Sequence, residues 1–244
     1  KSDRDLFIFS YDWRRSVFDN AQALDRFVRE KVPDGKVDIL AHSLGALVAR
    51  VYLIENGGAA RTARLFSAGA PFQGSVKVFQ TIDRGWGPLN TVMGGLDGFR
   101  RTILSFPSVF ELMPRYTKCC DGAGEAFDAT QAEVWKMLQW EGVDPHTMPN
   151  LAPTFERIRR LEKLIGAPLP EPVEDVLLVG VDQRTPLRAA FNGGGKSIAL
   201  KVQTTWAGDG TVIRDSASIE KLPVYPTSFA NHQNILSDRY IQEF

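Results

Sequence analysis

One stretch of the sequence restricts the possible fold more than any other. Residues 37–49, VDILAHSLGALVA, carry an apolar segment through Ala-His-Ser-Leu-Gly directly into a second segment with helical periodicity. When a strand enters a helix through so sharp a turn, the turn residue takes a strained backbone conformation, and the residues two positions before and after it must be small. Ala41 and Gly45 are small. The stretch therefore predicts that Ser43 stands at a strand-to-helix turn.

A serine in such a turn has a chemical use. The pattern is that of a nucleophile elbow, G-x-S-x-G, with Ala41 in place of the first glycine. The Ser43 hydroxyl would be exposed to a neighbouring base, and the backbone N–H of Leu44, at a helix N-terminus, would point at a developing oxyanion. The alternative is an ordinary serine that caps the helix. We interpret Ser43 as a nucleophile because a strand pattern precedes it and a helix pattern follows.

The first seventy residues alternate between strand and helix patterns. Apolar and aromatic runs at 6–13, 37–40 and 63–68 predict buried strands. Between these runs, apolar residues recur at helical spacing over 17–31 and 44–55. Such a β-α-β-α-β alternation with short connections predicts a mostly parallel sheet with helices on both faces, which is an α/β fold.

The rest of the chain divides into an insertion and a second part of the core. Residues 72–170 show no further β-α repeat and are predicted to be helical around 126–141 and 154–165. We predict that 72–170 forms a cap or lid between two parts of the core, 1–71 and 171–244. The elements predicted in the second part are a strand at 176–181, a hairpin arm at 197–204, a strand at 224–229 and a helix from about Asn234.

The overall composition argues against several classes of protein. Lys plus Arg and Asp plus Glu number 29 each, so net charge does not favour a nucleic-acid partner. The sequence has no apolar run long enough for a spanning helix. No cluster of metal-ligating residues is apparent, and we predict neither a metal nor another cofactor.

The two cysteines, Cys119 and Cys120, are neighbours and cannot link distant parts of the chain. We interpret them as loop thiols, with a vicinal redox pair as the alternative. The lack of a disulfide framework and of a signal-like segment in this sequence favours the cytoplasm.

A nucleophilic serine needs a base, and the sequence contains three histidines. In α/β-hydrolases the chain order is Ser, then acid, then His. His42 adjoins Ser43, so we expect its side chain to point away into packing. His146 lies in DPHTMP within the insertion and is expected in a solvated loop. His232 follows the last predicted strand, and we interpret it as the base by position and by elimination.

The acid that orients this base has two candidates. Asp182 directly follows the strand predicted at 176–181, where the simplest version of the fold would place it. Asp209 lies between glycines in AGDGTV, where a turn could present its carboxylate inward. Spacing and composition leave both residues open.

Several motifs, taken together and in order, resemble the lecithin:cholesterol acyltransferase family of the α/β-hydrolase superfamily, which includes lysosomal phospholipase A2. The resemblance runs over nearly the whole chain. It implies an α/β-hydrolase fold and a triad of Ser43, Asp209 and His232, which decides between the two acids in favour of Asp209. The motifs are YDWR at 11–14, AHSLG at 41–45, SAGAPFQGS at 67–75, PSVFELMP at 107–114, GDGTV at 208–212 and NHQNIL at 231–236.

The family pattern also includes features that this sequence does not show. Family members have strands upstream of YDWR and a loop there that supplies a second oxyanion donor, whereas this sequence begins at Lys1. We therefore expect the sequence to be a fragment of a longer protein, with the second donor upstream of Lys1. Extracellular members carry a disulfide near the lid, and no equivalent pairing is available here.

The residues and the resemblance together predict a serine hydrolase or acyltransferase. The expected substrate is a carboxylic ester, in particular a lipid acyl ester, and the expected intermediate is an acyl-Ser43. Hydrolysis is favoured, and the alternatives are acyl transfer to an alcohol and a non-catalytic scaffold that binds a lipid or a protein. Tyr11, Asp12 and Trp13 are candidates for substrate binding because ligands bind at the carboxyl ends of such strands. The cap could also contact a membrane surface.

Overall fold

A parallel sheet forms the centre of the fold. The computed structural model describes residues 5–122, 124–131, 134, 151–192, 199–228 and 230–238. In this part of the chain the strands are β1 (Val37–His42), β2 (Thr62–Ala68), β3 (Cys120–Gly122), β4 (Glu125–Ala126), β5 (Glu174–Val181), β6 (Thr185–Asn192), β7 (Ala199–Thr205) and β8 (Val224–Ser228). The main sheet has the order β1-β2-β5-β8, and each neighbouring pair in it is parallel.

Helices cover this sheet and extend beyond it. The α-helices are α1 (Val17–Lys31), α2 (Leu44–Glu55), α3 (Lys77–Arg84), α4 (Pro88–Val92), α5 (Gly95–Ile103), α6 (Pro107–Glu111) and α7 (Leu151–Gly166), with short 3₁₀ turns at Gly58–Arg61 and Ile235–Ser237. The helices predicted over 17–31 and 44–55 are confirmed as α1 and α2. α2 is buried over most of its length because α1 and α7 both pack against it.

α1 shows how the sequence pattern becomes structure. Its apolar residues at spacings of three and four, Val17, Ala21, Leu24 and Val28, are all buried. The Ser16 hydroxyl accepts a hydrogen bond from the Phe18 backbone N–H and so caps the helix. The carboxylate of Glu111 accepts hydrogen bonds from the Ser16 hydroxyl and the Val17 N–H, at 2.6 and 2.9 Å. Since the N-terminus of a helix carries the positive end of its dipole, this buried carboxylate ties α6 to the start of α1.

The buried apolar residues form two larger cores and a small third cluster that includes Leu178 and Ile235. The first core lies between the main sheet and its helices and includes Leu47, Leu65 and Leu177. The second core includes Phe79, Phe110 and Phe191 and lies beside a smaller sheet of order β4-β3-β6-β7. β6 and β7 pair antiparallel, which confirms the hairpin arm predicted at 197–204. α7 contributes to both cores, with Leu161 and Ile165 in the first and Phe155 and Ile158 in the second.

The segment 6–13, predicted as a buried strand, lies in neither sheet. Phe9 and Tyr11 pack against the first core, whereas Leu6 and Ile8 are 87% and 78% exposed. The described part of the chain therefore covers one side of this segment only and gives it no ladder partner. The prediction of a strand here is wrong for the fold as described, although the alternation of inward and outward residues is present.

Other predicted elements differ from the structure at sheet edges and at turns. β1 is an edge strand with one covered face, so Leu40 is 59% exposed and the predicted full burial of 37–40 is wrong. Residues 127–131 form turns rather than the start of a helix, and most of the rest of 126–141 lies outside the described residues. The helix predicted from Asn234 is a single 3₁₀ turn, Ile235–Ser237; 239–244 lie outside the described residues.

Candidate active site

The junction between β1 and α2 has the strained geometry that the sequence predicts. Ser43 has φ 53° and ψ −126°, a conformation that residues other than glycine rarely adopt. Its backbone N–H donates to the carbonyl of Ala68 at 2.9 Å, which ties the turn to the end of β2. The Ser43 hydroxyl makes no capping hydrogen bond to α2. The alternative interpretation as a capping serine is therefore wrong.

The hydroxyl instead faces a histidine that is itself held by a carboxylate. His232 Nε2 lies 2.9 Å from Ser43 Oγ, and His232 Nδ1 lies 2.7 Å from Asp209 Oδ2. A carboxylate oxygen only accepts, so Nδ1 carries a hydrogen and the neutral ring leaves Nε2 free to accept from Ser43. The Asp209 side chain is 1% exposed and that of His232 13%. In this arrangement His232 can accept a proton from Ser43 at a site that is largely shielded from bulk water.

Asp209 is held in place by its own loop. Its Oδ1 accepts hydrogen bonds from the backbone N–H groups of Thr211 and Val212, at 2.9 and 2.7 Å. Its carbonyl accepts from the His232 N–H at 2.8 Å. A Cβ at Gly180 would lie 2.6 Å from Asp209 Cβ, so β5 can pass behind the carboxylate only with glycine at this position. The loop therefore fixes the carboxylate before any substrate arrives.

Asp182 lies elsewhere. It has φ 65°, and its backbone N–H donates to the carbonyl of Trp206 at 2.9 Å. Among the described residues, Asp209 is the carboxylate that lies within hydrogen-bond distance of His232. The structure thus brings Asp209, and not Asp182, to the candidate base.

Gly69, from the stretch SAGAP, packs directly against the Asp209–His232 pair. Its φ is 56°, and a Cβ there would lie 3.0 Å from Asp209 Oδ2 and 3.2 Å from His232 Nδ1. We expect Gly69→Ala to lower kcat by about 100-fold, because displacements near 1 Å in a catalytic arrangement cost about that much. Steady-state kinetics on a chromogenic ester would measure the loss.

Gly57 provides the matched control for this substitution. It also has a positive φ, 73°, but no described atom lies within 4 Å of the position of its Cβ. Gly57→Ala therefore carries the same type of backbone strain without a contact to the site, and it should keep kcat. Equal losses in the two variants would show that backbone strain, and not contact with the pair, is responsible.

An apolar cavity of about 280 Å³ opens beside Ser43. Trp13 lines it and packs edge-to-face against Phe106, with ring centroids 5.6 Å apart.

The other two substrate-binding candidates have different contacts. Tyr11 stacks on Phe9, and Asp12 forms an ion pair with Arg14. Arg14 lowers the pKa of Asp12 to about 2. Of the three substrate-binding candidates, Trp13 is thus the one at the cavity. Further apolar lining residues are Val78, Phe99, Ile103, Val109 and Leu112.

The other candidate residues are placed as follows. Leu44 is the first residue of α2, so its backbone N–H is one of the first-turn groups that the helix ladder leaves without a partner. His146 lies outside the described residues. His42 is half-buried and packs its ring against that of His232, and its Nε2 also lies 2.7 Å from the carbonyl oxygen of His232, a polar contact that the prediction did not include. This contact joins residues 190 positions apart, so nothing in the local sequence around His42 indicates it.

The two cysteines are buried inside the fold. Cys119 lies in a bend just before β3, and Cys120 is the first residue of β3. Both are free thiols buried in the second core, with their sulfurs 2.7 Å apart. The interpretation as loop thiols is therefore wrong for Cys120 and holds for Cys119. Across the described ranges, no group of three or more His, Cys, Asp or Glu side chains is arranged to hold a metal ion. In the same part of the chain, no helix has the length and apolar character that crossing a membrane requires.

The parallel sheet, the strained serine between strand and helix, and the sequence order Ser, Asp, His define an α/β-hydrolase fold. The chain belongs to the lecithin:cholesterol acyltransferase family, whose model matches residues 1–160. The matched range includes Ser43 and ends before Asp209 and His232, so the placement of these two residues rests on the geometry. The predicted fold class and the predicted family are both confirmed.

The chain shares its fold with a solved structure of low sequence identity. A chain of the Tle4–Tli4 complex superimposes with a TM-score of 0.65 at 15% identity, over 94% of this chain and 65% of that one. This chain therefore spans less than two thirds of the length of that protein. The mature form of the Bacillus licheniformis lipase BlEst2 gives a TM-score of 0.47 at 15% identity, over 91% of this chain and 69% of that one. No curated protein matches the chain in sequence.

Proposed function

We propose that the protein hydrolyses lipid acyl esters through an acyl-Ser43 intermediate. The observation that carries the proposal is the chain of hydrogen bonds from Asp209 through His232 to Ser43, which ends at an apolar cavity. Membership of the lecithin:cholesterol acyltransferase family supports ester chemistry on lipids in general. The assignment of Ser43 as nucleophile, His232 as base and Asp209 as orienting acid is part of the proposal.

The mechanism follows from the tautomer of His232. With its Nδ1–H held by Asp209, the ring accepts the Ser43 proton at Nε2 while Oγ attacks the ester carbonyl carbon. The Leu44 N–H stabilises the oxyanion of the tetrahedral intermediate. His232 then gives the proton to the leaving alcohol, and the acyl group stays on Ser43. Water, deprotonated by His232, attacks the acyl-serine and releases a carboxylic acid in the reverse sequence.

The cavity supports a long or bulky acyl chain as the group transferred. Most of its lining comes from helices α3 to α6 and is apolar, and Trp13, Ser43 and Val212 complete it. An apolar chain placed there loses its contact with water, which provides the binding energy. The cavity therefore favours lipid esters over short polar ones.

The residues predicted to form the cap also suit contact with a lipid surface. Trp86, just before α4, and Val92, the last residue of α4, are 66% and 81% exposed, and Trp86 lines the cavity as well. Exposed apolar side chains close to each other in the sequence and next to an apolar cavity are typical of surfaces that meet membranes or ligands. We include this contact in the proposal.

Acyl transfer to an alcohol is the second candidate, and the name of the family favours it. Both reactions share the acyl-Ser43 step and differ in whether water or an alcohol attacks it. Product analysis with a phospholipid labelled in its acyl chains separates them. The protein is incubated with vesicles, with and without a long-chain alcohol, and Ser43→Ala serves as the control.

We expect labelled free fatty acid from the unsubstituted protein and none from Ser43→Ala. A labelled ester formed only when the alcohol is present would assign acyl transfer instead. If protein whose fold is verified by circular dichroism forms neither product, both reactions are contradicted. The non-catalytic scaffold would then remain.

A further inference from the structure

His42 makes a contact that the proposed mechanism does not use. It is the last residue of β1 and directly precedes Ser43. Its Nε2 lies 2.7 Å from the carbonyl oxygen of His232, and the two rings are 4.8 Å apart at 46°. Since a carbonyl oxygen only accepts, Nε2 of His42 is the donor. The residue before the candidate nucleophile is thus hydrogen-bonded to the candidate base.

Three polar groups of His232 are held by hydrogen bonds, and the contact with His42 is one of these bonds. The backbone N–H of His232 donates to the carbonyl of Asp209 at 2.8 Å, and its Nδ1 donates to Asp209 Oδ2 at 2.7 Å. Its carbonyl accepts from His42. His232 lies in a turn after β8 and before the 3₁₀ turn, so neither a strand nor an α-helix fixes its carbonyl. Two of the anchors come from Asp209, and the third comes from β1.

We propose that His42 is a positioning residue: its Nε2–H fixes the His232 backbone so that the His232 ring meets Ser43 Oγ. Because His42 and Ser43 are consecutive, the hydrogen bond fixes the position of the base relative to the nucleophile. The two bonds to Asp209 fix its position relative to the acid only. The inference rests on the proposed function in that His232 is the base.

The electrostatics at this contact suit an uncharged donor. Burial, followed by the neighbouring His232, lowers the pKa of His42. Among the described residues, the charged groups that act on His42 are His232 and Asp209, and Asp209 raises the pKa of His42. A neutral imidazole can donate a hydrogen bond without placing a second cation beside His232 when that ring takes the Ser43 proton.

Two substitutions separate the hydrogen bond from the ring contact. In His42→Gln the side-chain amide can place an N–H near the position of Nε2, whereas His42→Phe keeps an aromatic ring and removes the donor. We expect His42→Phe to lower kcat on a chromogenic ester by about 10- to 100-fold with little change in KM, because the base is displaced and substrate binding is not. His42→Gln should stay within about fivefold of the unsubstituted protein, which corresponds to about 1 kcal/mol.

Controls separate this effect from a general loss of stability. Val28→Ala, in the core-facing stripe of α1, also destabilises the fold and should leave kcat unchanged. If His42→Phe does not fold, His42→Asn takes its place, since the shorter amide does not reach the His232 carbonyl. Equal kcat losses in the Gln and Phe variants, or a change in KM alone, would overturn the proposal.

An NMR measurement tests the contact without relying on catalysis. With three histidines in the sequence, the ring protons can be assigned by single substitutions. The low-field resonance of the His232 Nδ1 proton, bound to Asp209, should persist in His42→Gln and broaden or vanish in His42→Phe. An unchanged resonance in His42→Phe would refute the positioning role. An unsubstituted protein with this resonance but no ester turnover would instead contradict the proposed function.

Discussion

Ser43→Ala is expected to lower kcat on ester substrates by about 10⁶-fold and to abolish labelling by a fluorophosphonate probe. The magnitude is that found when the nucleophile of a serine hydrolase is removed. Ser43 Oγ is the atom that His232 Nε2 faces at 2.9 Å, and no other hydroxyl is hydrogen-bonded to that nitrogen within the described ranges. Without it the acyl-enzyme cannot form, although the cavity and the fold should remain. Steady-state kinetics and probe labelling measure the two losses.

The matched control is Ser67→Ala. Ser67 lies on β2 directly opposite Ala41, and its buried hydroxyl has no hydrogen-bond partner among the described residues. Removing an unpaired buried hydroxyl is neutral or slightly stabilising, so kcat and labelling should be kept. A probe adduct mapped by mass spectrometry to another serine, such as Ser75 in the same cavity, would refute the assignment of Ser43.

Asp209→Asn is expected to lower kcat by about 10⁴-fold without unfolding the protein. The amide has nearly the same shape as the carboxylate, but it can present an N–H to His232 Nδ1 and so favour the wrong tautomer of the ring. The hydrogen bonds from Thr211 and Val212 to Oδ1 can still form with the amide oxygen. Kinetics together with thermal unfolding would distinguish loss of catalysis from loss of fold.

Asp182→Asn serves as the comparison, because both substitutions remove one carboxylate near the carboxyl end of β5. Asp182 makes no hydrogen bond to His232 in the described structure, so its substitution should change kcat by less than about tenfold. The reverse order of the two effects would mean that the acid lies at Asp182 and that the observed Asp209–His232 contact is not used in catalysis.

The parts of the fold that the sequence predicts are those with strong local periodicity or a distinctive turn. α1 and α2 follow from apolar spacing, and the Ser43 turn follows from small residues at 41 and 45. These features depend on a few neighbouring residues and on steric limits of the backbone, which the sequence expresses directly. The family resemblance added the pairing of Asp209 with His232, which periodicity could not provide.

The failures concern features that depend on distant residues. An apolar run such as 6–13 becomes a strand only if another strand lies beside it, and the run itself contains no information about that neighbour. Tyr11 faces the core and Trp13 the cavity because of packing across the chain, including the contact of Trp13 with Phe106. The contact of His42 with His232 spans 190 positions of sequence for the same reason.

The adjacent cysteines give the second core a chemical reporter of its own. Cys119 and Cys120 are the two cysteines of the sequence, and both are buried there. The pKa of the Cys120 thiol is raised, mainly by the hydrogen bond to Cys119 and then by burial. Because the thiolate is the reactive form, the raised pKa lowers the reactivity of Cys120. An alkylating reagent can therefore react only when this region opens. The rate of alkylation measures the free energy of that local opening separately from unfolding of the main sheet.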